Sequence, residues 1–369
     1  MIYVFYNNDP LAQDQGGGAE HFRGLHRALV GSGLPHLLVG SRLQDRNDAH
    51  VDYISSGANF LRFYLSLWIW FWLRRHSFGH GDVFHFHRNY AAWPKLILCP
   101  GVGRVLISYH NVTGRVLEGA LGRLAVPLRA LMLWFERRAV RLADAIVCVS
   151  RRDRDALARS VVARPFEQAH VIPAAFDSDL FTRAEASPPP PALATRLLFV
   201  GRISHQKNVP LAIETLERLV ADGGDYTLTI AGAGEDAKEL IRRLARSPAE
   251  GRVRWLGLVP HDEMPALMAE HGIVLMTSRY EASPTVVKEA LRSMRPVVAT
   301  DVGDVADWLE PGSTGWVCPM DAGELAAACR SASRLVLSGR YGQGPSPESL
   351  DERAIMNRVL RLYRWLAAS

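Results

Sequence analysis

Residues 272–291 read GIVLMTSRYEASPTVVKEAL. The apolar run at 273–276 has no polar alternation, as a strand buried on both faces of a parallel sheet requires. A polar loop follows, and helix-type residues begin near Pro284, a favourable first-turn position. The same rhythm of strand, loop and helix extends outward through the 369 residues. RLLFVGR (196–202), YTLTIAG (226–232), VRWLG (253–257), PVVAT (296–300) and GWVCP (315–319) are further short apolar runs. The N-terminal half supplies IYVFYN (2–7), HLLVGS (36–41), DVFHFH (82–87), RVLISYHN (104–111), DAIVCVS (144–150) and AHVIPA (169–174). Strands and helices alternating in this way predict two doubly wound, Rossmann-like α/β domains. Ligands of such sheets bind beyond the carboxyl ends of the strands, so the residues just after each run are where chemistry is expected.

The stretch AEASPPPPALAT at 184–195 marks the expected interdomain linker, because consecutive prolines favour an extended, semi-rigid connector. The predicted division is 1–183, the linker 184–195, a second domain at 196–350, and a last helical segment from 351 to the end. That segment places Ile355, Val359, Leu360, Tyr363 and Leu366 on one side of a helix. Residues 1–185 carry 22 Lys and Arg against 16 Asp and Glu, and the remainder carries 21 against 22, so the excess of the +5 net charge lies in the first half. Cys99, Cys148, Cys318 and Cys329 are scattered and form no CxxC pair, which argues against a disulfide framework or a zinc site. MIYVFYNN shows neither a basic leader nor a cleavage site, so a cytoplasmic protein is expected.

Two loops attract attention. In the first, Arg202 and Lys207 follow the strand run at 196–202 and place two cations at a strand's carboxyl end, where they can neutralise a diphosphate. In the second, Glu281 precedes the helix that begins near Pro284, and Glu289 lies more than one turn into it. Backbone N–H groups of Ser283, Pro284's neighbour Thr285 and Val286 make an anion site favoured by the helix dipole. Taken alone, these residues leave open that Glu281 only caps the helix, that Glu289 is a solvated face residue, and that the cations are ordinary surface charge.

Several motifs occur together: GR-x4-KN at 201–208, IAGAGED at 230–236, LGLVP at 256–260, YEASPTVVKEAL at 280–291 and RPVVATDVGDVADWLEPGSTGWVCP at 295–319. In order and spacing they resemble the retaining GT-B glycosyltransferases of family 4, and GGGAE at 16–20, DVFHFH and SYHN extend the resemblance more weakly into the first half. The resemblance implies a GT-B fold, with two Rossmann-like domains facing a cleft and a C-terminal helix crossing back to the first. It implies that Arg202 and Lys207 hold the donor diphosphate. Glu281, first member of the E-x7-E pair, would bond donor sugar hydroxyls, and Glu289 the ribose. Backbone around Ala282, Ser283, Pro284, Thr285 and Val286 would meet the sugar and its phosphate, and that of Val259 the base. Gly17 and Gly18 would let the first domain's backbone approach the donor, and His110 would sit near the transferred sugar. Ala282 departs from the Gly found in many relatives. The implied chemistry is charge stabilisation with retention of anomeric configuration, with no protein general base. The donor is a UDP- or GDP-linked sugar, with no further cofactor and no metal.

Other motifs have competing readings. Residues 232–237 fit G-x-G-x-x-G/A after a strand, yet they lie in the second domain, which favours a structural tight turn over a dinucleotide site. His85 and His87 share one strand face, and with His110 they could form a three-histidine metal cluster; a place for His87 in the cleft is favoured. The sequon Asn111-Val112-Thr113 carries no meaning in a cytosolic protein. FYLSLWIWFWL at 63–73 is too short to span a bilayer. It suits either a buried core helix or one lying in a membrane interface, bracketed by Arg62, Arg74 and Arg75. Residues 115–141 add six Arg against two acids. Together these point to peripheral attachment to an anionic inner leaflet, a lipid-linked glycan acceptor and no nucleic-acid partner. A sugar-nucleotide epimerase, a phosphorylase or a non-catalytic relative are the rival classes; a phosphorylase needs a pyridoxal lysine site that is not found.

Overall fold

The computed structural model describes residues 1–11, 17–43, 48–57, 59–110, 126–159, 169–183, 187–341 and 350–369. The sequon at 111–113, Gly16 and much of the arginine-rich 115–141 stretch lie outside the described residues. The chain divides into two compact units, one formed by Met1–Ala174 with Ile355–Ser369 and the other by Ala175–Ala354.

In the first unit the strands are β1 (Ile2–Phe5), β2 (His36–Arg42), β3 (Val51–Ser56), β4 (Val83–Phe86), β5 (Arg104–Tyr109), β6 (Ala145–Cys148) and β7 (Ala169–Val171). They form one parallel sheet in the order β3-β2-β1-β4-β5-β6-β7. Ile2 pairs with His36 on one side and Val83 on the other, so the strand order reverses at β1. β3 is absent from the runs expected from sequence. It is an edge strand with no fully buried residue, so it lacks the continuous apolar signature of its neighbours.

Phe84 and Phe86 of β4 pack on one face of this sheet with Phe5, Phe63, Leu67, Phe71 and Ile107. Helix Phe60–Arg74 supplies three of these, and its buried positions Phe63, Leu67, Trp70 and Phe71 follow the helical period. Its other face, with Leu61, Leu65, Ile69, Trp72 and Leu73, is apolar and exposed, so the 63–73 segment belongs to the core along one face only. No helix among the described residues is long and apolar enough to cross a membrane. On the opposite face of β4, His85 is buried and hydrogen-bonds Tyr363 Oη at 2.6 Å through Nδ1 and Ser108 Oγ at 2.7 Å through Nε2. Tyr363 belongs to the C-terminal helix Glu352–Ala368, which buries Ile355, Met356, Val359, Leu360, Leu362, Tyr363 and Leu366.

The second unit holds β8 (Arg196–Val200), β9 (Thr227–Ala231), β10 (Val253–Gly257), β11 (Ile273–Met276), β12 (Val297–Thr300) and β13 (Gly315–Cys318). Their order is β10-β9-β8-β11-β12-β13, again parallel with a reversal at the first strand of the unit. The division between units falls ahead of the proline-rich stretch expected to separate them. Phe176 and Phe181 are buried in the core of the second sheet, so the chain has entered that unit before residue 184. The prolines are themselves held there: Arg295 donates to Ser187 O at 2.6 Å, and Leu193 O packs so closely on Gly272 that a Cβ there would lie at 2.0 Å.

After β9, a Cβ on Gly232 would lie 1.9 Å from Gly201 O, and one on Gly234 2.3 Å from Ile203 O. Ile203 N donates to Ala233 O at 3.0 Å and Asp236 N to Ile203 O at 3.0 Å. The G-x-G spacing is thus required by close backbone packing of the β9 loop on the β8 loop, the tight-turn alternative.

Gly234→Ala should lower stability by about 1–3 kcal/mol and displace the loop bearing Arg202, measurable by denaturant unfolding. Burial holds the His85 imidazole pKa down to about 3, with His21 adding to the effect. Because the unfolded chain binds that proton near pH 6.5, stability due to His85 is present above that pH and declines as pH falls, by about 1.4 kcal/mol per unit. His85→Gln should therefore flatten the fall in unfolding free energy between pH 6.5 and 5, read from urea titrations.

Candidate functional site

β8 and β11 lie side by side at the reversal of the second sheet, so the loops leaving their carboxyl ends meet. Between Gly201 and helix Val209–Ala221 the β8 loop carries exposed Arg202 and half-buried Lys207, and Asn208 closes it in the left-handed region at φ 53°. The β11 loop carries Glu281, Ala282 and Ser283 before helix Thr285–Arg292, with Pro284 as N-cap, one residue earlier than a first-turn position. The two loops are stitched together. Arg279 N donates to Gln206 O at 2.8 Å, Gln206 Nε2 to Tyr280 O at 3.0 Å, Arg279 to Asn208 Oδ1 at 3.0 Å, and Thr277 Oγ1 to Asn208 O at 3.0 Å.

This stitching brings Lys207 Nζ to 2.7 Å from Glu281 Oε1, and Ser278 Oγ donates to the same oxygen at 2.9 Å. Glu281 therefore does not cap the helix, which receives no side-chain hydrogen bond at Pro284. Nor is Glu289 a solvated face residue: it is 5% exposed, and its Oε1 faces His261 Nε2 at 3.7 Å. His261 follows the partly buried Val259 in a short turn and escaped notice, since its nearness to Glu289 depends on packing across the unit. Gly303, at φ 56°, presses on the β11 loop, where a Cβ would come within 2.6 Å of Ala282 O. Two cations on one loop thus stand across from the Glu281 carboxylate on the other, ahead of the N-terminus of helix Thr285–Arg292, whose second turn carries Glu289.

In the first unit, Gly17 begins helix Gly17–Ser32, and a Cβ on Gly18 would lie 3.3 Å from Tyr6 Oη. His87 and His110 follow β4 and β5. Their Nδ1 and Nε2 are 2.8 Å apart, with centroids at 5.1 Å and planes 21° apart, an in-plane N–H···N hydrogen bond. Burial, reinforced by neighbouring imidazoles, pushes both pKa values well below the usual range and keeps the pair neutral. The histidines that converge are not the expected set. His85 is committed to Tyr363 and Ser108, and His21 takes its place, so that His21, His87 and His110 bring one ligand atom each within 4.8 Å of one another. Those three are the residues, among the described ones, that could hold a metal ion. His21 was not singled out from sequence because it reaches the pair from a helix far away in the chain.

Known proteins resemble this chain in sequence and in fold. A family model described as Glycosyltransferase Family 4 matches residues 15–180, and one described as Glycosyl transferases group 1 matches residues 194–334. Alpha-D-kanosaminyltransferase of Streptomyces kanamyceticus is 33% identical over 194 residues, covering 50% of each chain, so this chain spans about half the length of that relative. The solved structure of sucrose-phosphate synthase from Thermosynechococcus elongatus superposes with a TM-score of 0.77 at 21% identity, covering 100% of this chain and 99% of its own. That of Anabaena HepE in complex with UDP gives 0.70 at 17% identity, covering 99% of both. With a family model matched in each half and the architecture shared from end to end, the chain belongs to the group 1 glycosyltransferases of family 4 and has the GT-B fold.

Proposed function

We propose that this protein is a retaining, metal-independent hexosyltransferase. It would move a hexose, with mannose the first candidate, from a UDP- or GDP-linked donor to a lipid-linked glycan acceptor in bacterial surface polysaccharide synthesis. The observation that carries this is the meeting of Lys207 and Glu281 at 2.7 Å, beside the N-terminus of helix Thr285–Arg292 and on a loop shared with Arg202. HepE, of the same fold, holds UDP in its solved structure, in keeping with a nucleotide-linked donor.

Before donor arrives, the ion pair keeps Lys207 and Glu281 in place, so neither charge is bare. A bound diphosphate takes the Lys207 ammonium and the exposed Arg202 guanidinium, and the Glu281 carboxylate is released to accept hydrogen bonds from sugar hydroxyls. Glu289, buried one turn into the helix, serves the ribose, and the backbone at Val259 the base. As the bond from sugar to phosphate breaks, the anomeric carbon gains oxocarbenium character and the diphosphate gains charge. Arg202, Lys207 and the amides of Ser283, Thr285 and Val286 stabilise that charge. These groups supply what a divalent metal supplies in other transferases. The acceptor attacks from the face the leaving group departs, and a phosphate oxygen takes its proton. His110, kept neutral by burial and held by His87, bonds the transferred sugar without adding charge.

The acceptor side rests on the first unit's surface. Helix Phe60–Arg74 exposes one apolar face, and Ile97, Leu131, Trp134 and Phe135 are further exposed apolar residues of the same unit, with Trp93 edge-on against Phe135 at 5.0 Å. Exposed Arg62 and Arg74 flank the apolar residues. Such a face suits an anionic bilayer surface on the cytoplasmic side.

Incubated with a panel of UDP- and GDP-sugars, with and without membrane lipid extract, the protein should release nucleotide from one donor and do so faster with lipid. Lys207→Ala should cut that turnover by about 10²–10³ while thermal unfolding shows a folded protein; wild-type turnover in this variant would sink the mechanism. Sedimentation with vesicles containing phosphatidylglycerol should retain the wild type and release a Leu65→Ser, Ile69→Ser, Trp72→Ser triple variant, whose altered positions are all exposed.

A further inference from the structure

Behind the β11 loop lies a polar cluster whose side chains have no part in the roles given so far. Lys288, one turn into helix Thr285–Arg292, is fully buried. Its Nζ donates to Ser283 Oγ at 2.7 Å and sits over the Trp308 ring at 5.2 Å. Ser283 Oγ in turn donates to Asp304 Oδ2 at 2.6 Å, and Asp304 is only 4% exposed. One hydroxyl thus accepts from a buried ammonium and donates to a buried carboxylate, which fixes its rotamer from both sides. Burial pushes the Lys288 ammonium down and the Asp304 carboxyl up, while each charge favours the other.

Val286, Val287, Val305 and Leu309 of the surrounding core could be joined by a Met at 288 and an Ala at 304 with no desolvation cost. Buried ionic groups in such surroundings contribute little to stability compared with apolar packing. A cation in the first turns of a helix also opposes the helix dipole. What the cluster does, and apolar packing cannot, is hold Ser283 at a single setting between Glu281 and the helix N-terminus. Gly303, next to Asp304, bears on Ala282 O, so the loop is gripped at two successive residues.

We propose that Lys288 and Asp304 are positioning residues for the sugar and phosphate end of the donor, acting through the Ser283 hydroxyl to preset the loop that carries Glu281 and leads into the helix N-terminus. This rests on the donor reading of the site. Its mechanism is preorganisation: the loop is ordered before donor arrives, so binding does not bear the cost of ordering it.

The test is titration calorimetry of UDP, GDP, UDP-glucose and GDP-mannose into the full chain, beside thermal unfolding, for wild type, Lys288→Met, Ser283→Ala, Asp304→Asn and the Ser283→Ala, Lys288→Met double variant. For the tightest nucleotide-sugar, Lys288→Met and Ser283→Ala should each raise Kd about tenfold, the loss expected for a hydrogen bond to a charged group. The matching bare nucleotide should change by less than about threefold. The double variant should be no worse than either single one, because both act through one hydroxyl. A role in stability alone would lower the unfolding temperature and leave the ratio of nucleotide-sugar to nucleotide affinity untouched, which would overturn the proposal. Additive losses in the double variant would overturn it too. Should Lys288→Met fail to fold, Ser283→Ala, which removes a single oxygen, carries the same comparison. Wild-type protein that binds none of the four ligands would instead overturn the donor reading itself.

Discussion

Lys207 and Glu281 are 74 positions apart in a chain that brings their charged atoms to 2.7 Å, and almost every other feature of the second unit is a condition for that meeting. The two residues leave neighbouring strands, which requires the order β9-β8-β11-β12 and not the sequential one. The β8 loop must lie flat, which requires backbone and no side chain from Gly232 and Gly234 above it. The β11 loop is held from behind, where Gly303 lies against Ala282 and Asp304 accepts from Ser283. A parallel sheet with its order reversed at the first strand provides this juxtaposition once, at the reversal, and the charges sit there.

That the two carboxylates of the E-x7-E pair stand in different settings follows from the same layout. Glu281 is on the loop, paired with Lys207. Glu289 is carried by a helix and buried, with His261 as its near neighbour. Two identical side chains, one on the loop and one in the helix, therefore stand at different depths. The first unit repeats the topology but not the chemistry: near its own reversal stand imidazoles that burial keeps neutral.

Parallel strands buried on both faces were legible because nothing but their own apolar character decides them; IVLM at 273–276 and AIVC at 145–148 are fully buried runs. β3 was not, since VDYISS at an edge has one side in water and carries a mixed pattern. Arg202, Lys207, Glu281 and Glu289 could be picked out because their spacing relative to strand ends is local. Lys288, Asp304, His261 and His21 could not. Each acquires its meaning from a partner brought by tertiary packing, and a lysine in a helix reads from sequence as a solvated charge. The proline run shows the opposite failure. Its stiffness was legible, but whether a stiff segment joins two bodies or lines one of them depends on Arg295 and Gly272, more than seventy residues further on.

The C-terminal helix bears on the order in which the chain can assemble. Residues 175–354 form a continuous stretch and a complete unit. The first unit is not continuous: from Ile355 onward the helix belongs to it, and the bond between His85 and Tyr363 spans 278 positions. During synthesis the second unit can therefore finish while the first still lacks the helix that covers one face of β4, although that sheet was made earlier. A chain emerging from the ribosome carries an incomplete first unit for most of its growth, with buried-type residues such as Leu106 and Val83 awaiting their cover. A polypeptide stopped short of residue 355 would therefore hold a complete second unit and a first unit without the helix that supplies Tyr363 to His85.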